Sequence, residues 1–269
     1  MSIITLLTDF GTKDAYAGIM KGVILSVNPS AVIVDITHHI DPQDVIQAAY
    51  IIKSSYRYFP EGTVHVMVVD PGVGSDRAIV ALEMMGHIFL APDNGILTLL
   101  MDEGKISSIV RVENTRYFLE SMSQTFHGRD IFAPVGAHLC RGMDIKKLGS
   151  PLDRQNLVHL RIRKPYISDN NQLVGTVVSF DRFGNCISNI DVNDIKKINE
   201  SNSGRMLEIK IGKTTIKGLS LSYVDTTSRS PLAIIGSFGY LELSLNKGNA
   251  KRYLGIEKGA TITLNLKPT

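Results

Sequence analysis

An α/β N-terminal domain on a mainly parallel sheet, followed by a smaller antiparallel β-barrel or sandwich domain, is the fold class the sequence predicts. Three observations predict it. Four apolar runs in the first half are nearly continuous, as strands buried on both faces require. Helical periodicity separates those runs. From about Leu173 the period changes to two and the helical pattern fades.

The four runs are IITLLTD (3–9), AVIVDIT (31–37), VHVMVVD (64–70) and HIFLAPD (87–93). From Asp14 to Val27 one helical face collects Tyr16, Met20, Val23, Ile24 and Val27. Asp41-Pro42 opens a second helix with Asp44 in its first turn: a carboxylate sits near free N–H groups, and Pro stands where its missing N–H costs nothing. A third helix follows Ile131, runs through His138 and Leu139, and stops near Gly142. The second half offers LVGTVVSFD, MLEIKIG, TTIKGLS, PLAIIGS, YLELSLN and TITLNL as strands. RKPYISDNNQ (163–172), rich in turn formers, reads as a linker, which divides the chain into an α/β domain over 1–164 and a β domain over 173–269.

With 269 residues the chain can bury a core without disulfides. Its two cysteines, Cys140 and Cys186, lie far apart in apolar surroundings, as small buried hydrophobes of a reducing compartment do, and cytoplasm is the expectation. The start MSIITLLTDFG resembles a first core strand rather than a signal peptide. No apolar run has the length of a membrane span. The 29 basic and 26 acidic residues give a net charge of +3 with no dense basic stripe, and Trp is absent; neither nucleic acid nor membrane is an expected partner.

Four strand ends carry aspartate: Asp9, Asp35, Asp70 and Asp93. In an open α/β sheet the carboxyl ends of the strands border the ligand crevice, so these acids are expected on one rim. Three of them precede Gly-containing turns (TDFG, DPGVG, DNG), where backbone can approach a ligand closely. Arg77 follows Asp70 by seven residues, close enough for the turn to return its guanidinium to the strand end. TFHGRDIFAP (125–134) then sets His127, Arg129 and Asp130 in an apolar stretch; the cluster is a structural network, a metal site, or part of a water-activating site. If His127 meets Asp70 and Arg77, they can position and deprotonate water, which at a pKa of about 15.7 needs a base and nearby positive charge to act as a nucleophile. Metal ligation is the rival reading, yet HExxH, paired CxxC and acidic loops with metal-ligand spacing are all missing. So are GxSxG, GxxxxGK[ST] and a GxGxxG after the first strand.

Six segments form a larger pattern: TDFGTKD (8–14), VVDPGVGSDR (68–77), APDNG (91–95), FHGRDIFAPVGAHL (126–139), SFDRFGNCISNI (179–190) and GSFGYLELSLNKGNA (236–250). Together they resemble the S-adenosyl-L-methionine (SAM) hydroxide adenosyltransferase family, the SAM hydrolases, related to the fluorinases and chlorinases. The resemblance spans essentially the whole chain. It implies a homotrimer with the ligand between one subunit's N-terminal domain and its neighbour's C-terminal domain, and the reaction SAM plus water giving adenosine and L-methionine without a cofactor or metal. It assigns water activation to Asp70, Arg77 and His127, the ribose hydroxyls to Asp9, adenine to Asn185, and the surroundings of the nucleoside and methionine end to Asp181, Phe183, Ser237 and Glu242.

The halogenases resemble this chain but carry other residues, tyrosine in the fluorinase, where Asp70 and His127 stand here, and an anionic Asp70 would repel halide. The fluorinase also has an inserted loop after the segment matching APDNG, where this chain continues through ILTLLMDEGKISS. Phe238 occupies the position of the fluorinase arginine that holds the methionine carboxylate, so Ser237, backbone N–H groups or another group must take that end. Two other functions fit parts of the pattern: a metal-dependent phosphoesterase on a similar sheet, and a non-catalytic SAM or adenosine sensor.

Overall fold

The computed structural model describes residues 2–199 and 205–268 and divides into two units, Met1–Arg161 and Ile162–Thr269. The first contains β1 (Ile3–Thr8), α1 (Tyr16–Val27), β2 (Val32–Thr37), α2 (Val45–Ser55), β3 (Val64–Val68), β4 (Ile79–Met84), β5 (His87–Pro92), α3 (Thr98–Met101), β6 (Ile106–Arg111) and α4 (Ala133–Cys140). Its sheet has the order β2-β1-β3-β5-β4-β6. The pairs from β2 through β5 are parallel, and β4 lies antiparallel to both β5 and β6.

Alternation along the central strands feeds two cores. Ile4 and Leu6 meet Met20 and Ile24 of α1 and Val135 of α4 on one face. Leu7 and Met67 meet Val45, Ala48 and Ile52 of α2 on the other. Gly136 lets α4 lie close to the sheet: a Cβ there would stand 2.8 Å from Val66 and 3.0 Å from Ile4.

Several boundaries differ from the sequence reading. AVIVDIT is the edge strand β2 and is half-buried to exposed rather than covered on both faces. Helix α1 starts at Tyr16, not Asp14, without a side-chain cap. Helix α2 is opened by Asp44, not by Asp41-Pro42: the Asp44 carboxylate accepts the Gln47 N–H at 2.8 Å, and Gln43, at φ +65°, breaks the chain direction just before it. The third helix is preceded by a π-helical turn, Gly128–Phe132, and Gly142 follows it at φ +86°.

The second unit contains β7 (Tyr166–Ile167), β8 (Leu173–Phe180), β9 (Cys186–Asp191), α5 (Val192–Asn199), β10 (Arg205–Ile211), β11 (Thr214–Lys217), β12 (Pro231–Ile235), β13 (Tyr240–Leu245), α6 (Ala250–Leu254) and β14 (Thr261–Pro268). The order is β11-β10-β14-β8-β9-β13-β12, every pair antiparallel, with β7 added to β8. A parallel bridge between Ser220 and Ile234 ties the segment after β11 to β12, so the sheet is a nearly closed barrel. Strand β8 alternates buried and half-buried residues along its whole length, the period of two seen in the sequence. The stretch 163–172 includes β7 and the turn that returns it to β8, with Ser168 N–H on the Gln172 carbonyl at 2.9 Å. Among the described residues no helix is long and apolar enough to cross a membrane.

Candidate active site

The chain leaves β1 to form β2 on one side and returns to form β3 on the other, so β1 and β3 flank a switch point at which an open sheet presents its ligand crevice. Asp9 directly follows β1, and Asp70 stands two residues beyond β3. A cavity of about 410 Å³ opens at these strand ends, lined among others by Asp9, Phe10, Tyr16, Asp70, His127 and Arg129.

Asp70, Arg77 and His127 meet there in a row. The DPGVGSDR turn brings Arg77 back so that its Nε donates to Asp70 Oδ1 at 2.9 Å and Oδ2 at 2.8 Å, and its Nη2 also donates to Oδ2. Oδ1 additionally accepts the Gly72 N–H at 3.2 Å. The two side chains are 10 % and 4 % exposed, so the pair is desolvated and held in one geometry. The same Nη2 lies 3.0 Å from His127 Nδ1. A guanidinium only donates, so Nδ1 is an acceptor and the proton of the neutral imidazole is on Nε2. Burial, then the charge of Arg77, lowers the His127 pKa below 6.5 against the opposing pull of Asp70 and Asp130. The ring is therefore neutral at pH 7, with Nε2–H as a donor.

Arg129 and Asp130, adjacent to His127 in sequence, serve the loop. Arg129 Nε donates to Asp130 Oδ1 at 2.6 Å, and the fully buried carboxylate also accepts the Ser123 N–H at 2.7 Å. Burial alone would raise the Asp130 pKa, but the Arg129 hydrogen bond and the Ser123 N–H outweigh it and hold the carboxyl below its usual range. Of the four strand-end acids expected on one rim, Asp9 and Asp70 reach the cavity. Asp35 instead pairs with Lys21 at 2.5 Å and His38 at 3.1 Å, because its position on the edge strand turns it towards α1. Asp93 accepts the Val158 N–H at 2.9 Å, and burial raises its pKa. No local sequence pattern marks the aromatic wall. Phe10, Tyr16 and Phe126 form a mutual cluster with centroids 5.1–5.9 Å apart, from residues scattered over more than a hundred positions.

The remaining residues singled out in the sequence lie in the second unit. Asp181 organises the turn after β8: its Oδ1 accepts the N–H groups of Phe183 at 2.9 Å and Asn185 at 2.8 Å, and its Oδ2 accepts the Asn185 side-chain amide at 2.8 Å. Glu242 in β13 is 7 % exposed and accepts from the Tyr223 hydroxyl at 3.3 Å. Burial, then the charge of Asp181, raises its pKa. Gly236 makes room for that carboxylate, since a Cβ would fall 1.7 Å from Glu242 Oε1. Ser237 and Phe238 occupy the exposed turn closed by the Gly239 N–H on the Gly236 carbonyl at 2.9 Å. Phe183 is 74 % exposed. Tyr223 belongs to this cluster although nothing in LSYVDTT signals it. Among the described residues no three His, Cys, Asp or Glu side chains are grouped to hold a metal ion.

A carboxylate, guanidinium and imidazole in hydrogen-bonded sequence at the switch point of a parallel sheet are suited to polarising a small oxygen nucleophile. Residues 4–149 match the SAM hydroxide adenosyltransferase N-terminal domain, and residues 175–263 match the C-terminal domain of the same name. The chain belongs to the SAM hydroxide adenosyltransferase family. It is 32 % identical to the (R)-S-adenosyl-L-methionine hydrolase of Thermus thermophilus, over 98 % of this chain and 100 % of that protein. It is 28 % identical to a fluorinase of Actinoplanes, over 97 % of each. A crystal structure of an uncharacterized conserved protein from Thermotoga maritima superposes with a TM-score of 0.90 at 35 % identity, covering 97 % of this chain and 99 % of that one.

Proposed function

We propose that the chain hydrolyses SAM to adenosine and L-methionine, with water attacking C5′ and no metal or cofactor taking part. The observation that carries this reading is the continuous row from Asp70 through Arg77 to His127, opening on a cavity that also holds Asp9. The relative named for the (R) form makes that sulfonium epimer the substrate to test.

The substrate's chemistry places the demand on the nucleophile. As the O–C5′ bond forms, the C5′–S bond breaks and its electron pair stays on sulfur, so the cationic sulfonium departs as a neutral thioether and needs no general acid. Water gives up one proton, and charge balances with one H⁺ released per turnover. His127 Nε2–H donates to the water oxygen and holds it, Arg77 supplies positive charge for hydroxide character, and Asp70, which lines the cavity, receives the proton. The tautomer imposed by Arg77 argues against His127 as the base, because Nδ1 is engaged and Nε2 is already protonated. Asp9 accepts the Gln43 N–H at 2.9 Å on Oδ2, which leaves Oδ1 for the ribose hydroxyls. Asn185 reads the adenine edge, Phe183 and Ser237 border the nucleoside, and Asp181 with Glu242 receives the methionine ammonium, whose charge relieves their mutual repulsion.

EDTA-treated protein incubated with the (R) epimer is expected to yield adenosine and methionine in equal amounts, with one proton per turnover in weak buffer and no halogenated nucleoside in chloride or fluoride. Activity that vanishes on chelation and returns with a divalent metal would overturn the metal-free reading.

We take the assembly to be a cytoplasmic homotrimer in which a neighbour's second unit completes each site. Large apolar side chains around the Asp181 and Glu242 cluster support a covered surface: Leu221 is 95 % exposed, Val224 79 % and Phe238 55 %. Light scattering is expected to give three times the 29.5 kDa chain mass. A monomer that turns over SAM at full rate would dismiss the shared site.

A further inference from the structure

The strongest feature left unused by this mechanism is a polar relay behind the TDFG loop, buried at Thr8 and His38 and reaching the surface at Asp35 and Lys21. Thr8 is completely buried at the end of β1, and its Oγ1 lies 2.8 Å from Nδ1 of His38, which is 4 % exposed. His38 Nε2 lies 3.1 Å from Asp35 Oδ1, and Asp35 Oδ2 receives Lys21 Nζ of α1 at 2.5 Å. Thr8 Oγ1 also accepts the Phe10 N–H at 3.3 Å. Phe10 N–H donates to the Thr8 oxygen and Thr8 O–H donates to His38 Nδ1, so the proton of the neutral imidazole is on Nε2, which faces the Asp35 carboxylate paired with Lys21 but makes no hydrogen bond there.

The spacing imitates a hydroxyl–imidazole–carboxylate nucleophile, but a hydroxyl with no exposure cannot reach a substrate. What the relay reaches is the loop. The His38 carbonyl accepts the Gly11 N–H at 2.7 Å, the Thr8 carbonyl accepts the Ile40 N–H at 3.4 Å, and Gln43, held at φ +65°, donates its N–H to Asp9. His38 thus grips residues 8–11 from its ring and from its main chain. Asp9 and Phe10 lie inside that grip, and both line the cavity.

We propose that His38, acting through Thr8, is a positioning residue that sets the Asp9 carboxylate and the Phe10 ring for the nucleoside part of the substrate. The proposal rests on the hydrolase reading for its substrate but not for its geometry. Asp9 and Phe10 contact parts of the ligand that do not react, so misplacing them weakens substrate and transition state alike and raises KM while kcat holds.

The experiment is Thr8→Val, which keeps shape and removes the hydroxyl, beside Thr8→Ser, which keeps the hydroxyl. Thr8→Val is expected to raise KM for SAM by about tenfold, the worth of one lost buried hydrogen bond, with kcat changed less than about threefold. Thr8→Ser is expected to stay near wild type in KM. His38→Ala in the Thr8→Val background is expected to add little to His38→Ala alone, because both cut the same relay. Melting temperatures and amide exchange of Phe10 and Gly11 accompany the kinetics, and faster exchange in Thr8→Val reads the grip without any substrate. Unchanged exchange and unchanged KM in Thr8→Val would overturn the proposal, as would a loss confined to kcat, or Thr8→Ser as impaired as Thr8→Val. A wild-type protein inert towards SAM sinks the hydrolase reading instead, and the exchange comparison still decides the relay.

Discussion

Asp70→Asn is expected to lower kcat for SAM hydrolysis by about a thousandfold while KM moves little, the scale on which a positioned proton acceptor works. The substitution keeps the volume and one acceptor oxygen but removes the charge that Arg77 holds through Nε and Nη2. Three consequences follow from the same geometry. The proton acceptor is gone. The guanidinium, 10 % exposed, loses its counter-ion, and a buried unpaired charge costs about 3–5 kcal/mol, so the melting temperature falls as well. His127 loses a neighbour that raises its pKa while keeping the Arg77 charge that lowers it, so its titration moves further below 6.5. NMR titration of the His127 ring and steady-state kinetics at pH 7.5 measure these together. The double variant Asp70→Asn/His127→Ala is expected to be no slower than the worse single variant, as residues acting on one water behave as a unit. Turnover within tenfold of wild type in Asp70→Asn would remove Asp70 from the chemistry.

How far the sequence carried the site depended on distance along the chain. Asp70 and Arg77 were legible because a buried strand, a Gly-containing turn and a spacing of seven residues confine them to one corner. His127 arrives from fifty residues away: its Gly-containing loop allows it to reach the same rim and the resemblance assigns it there, but no local pattern states that a π-helical turn will aim its ring at Arg77. The aromatic wall was invisible for the same reason. Asp35 and Asp93 misled because an aspartate near a strand end looks alike whether it faces the crevice or a neighbouring element, and pairing with Lys21 and His38 in one case and with the Val158 N–H in the other settles it only in three dimensions.

The fold shows the same division. Strands β1, β3 and β5 have β-branched and aromatic runs that local propensity alone favours, and they are the sheet's centre. Strand β4, IVALEM, carries Ala, Leu, Glu and Met, residues at home in helices, and becomes a strand through its pairing with β5 and β6 on either side. Helix α5 lies in a half whose pattern is dominated by a period of two, which masks its start, where Asp191 accepts the N–H groups of Asn193 at 2.7 Å and Asp194 at 2.9 Å.

The other large effect concerns stability in acid. His65 in β3 is fully buried, stacked on Phe89 with centroids 5.0 Å apart and edge-on to Tyr56 and Phe59. Its Nδ1 lies 2.8 Å from Thr5 Oγ1 and its Nε2 3.2 Å from His87 Nδ1. With Thr5 O–H donating to Nδ1 and Nε2–H donating to His87, both rings are satisfied only as neutral imidazoles. Burial, then the neighbouring His87, pushes the His65 pKa down to about 3. The unfolded chain binds this proton near pH 6.5 and the folded chain does not until about 3, so the contribution is complete above pH 6.5 and is lost as pH falls below it, at about 1.4 kcal/mol per unit. Between pH 7.5 and 5, where carboxylates remain mostly ionised, this one ring is expected to remove about 2 kcal/mol of folding stability. His87, whose pKa burial also lowers against the pull of Glu61, adds in the same direction. Urea unfolding of wild type and His65→Phe at both pH values separates this ring from other groups. The variant starts lower at pH 7.5, since it strands the Thr5 hydroxyl and His87, but its further loss on acidification shrinks by about 2 kcal/mol. Equal losses in the two proteins would mean that the buried ring opens to water and takes its proton in the folded state.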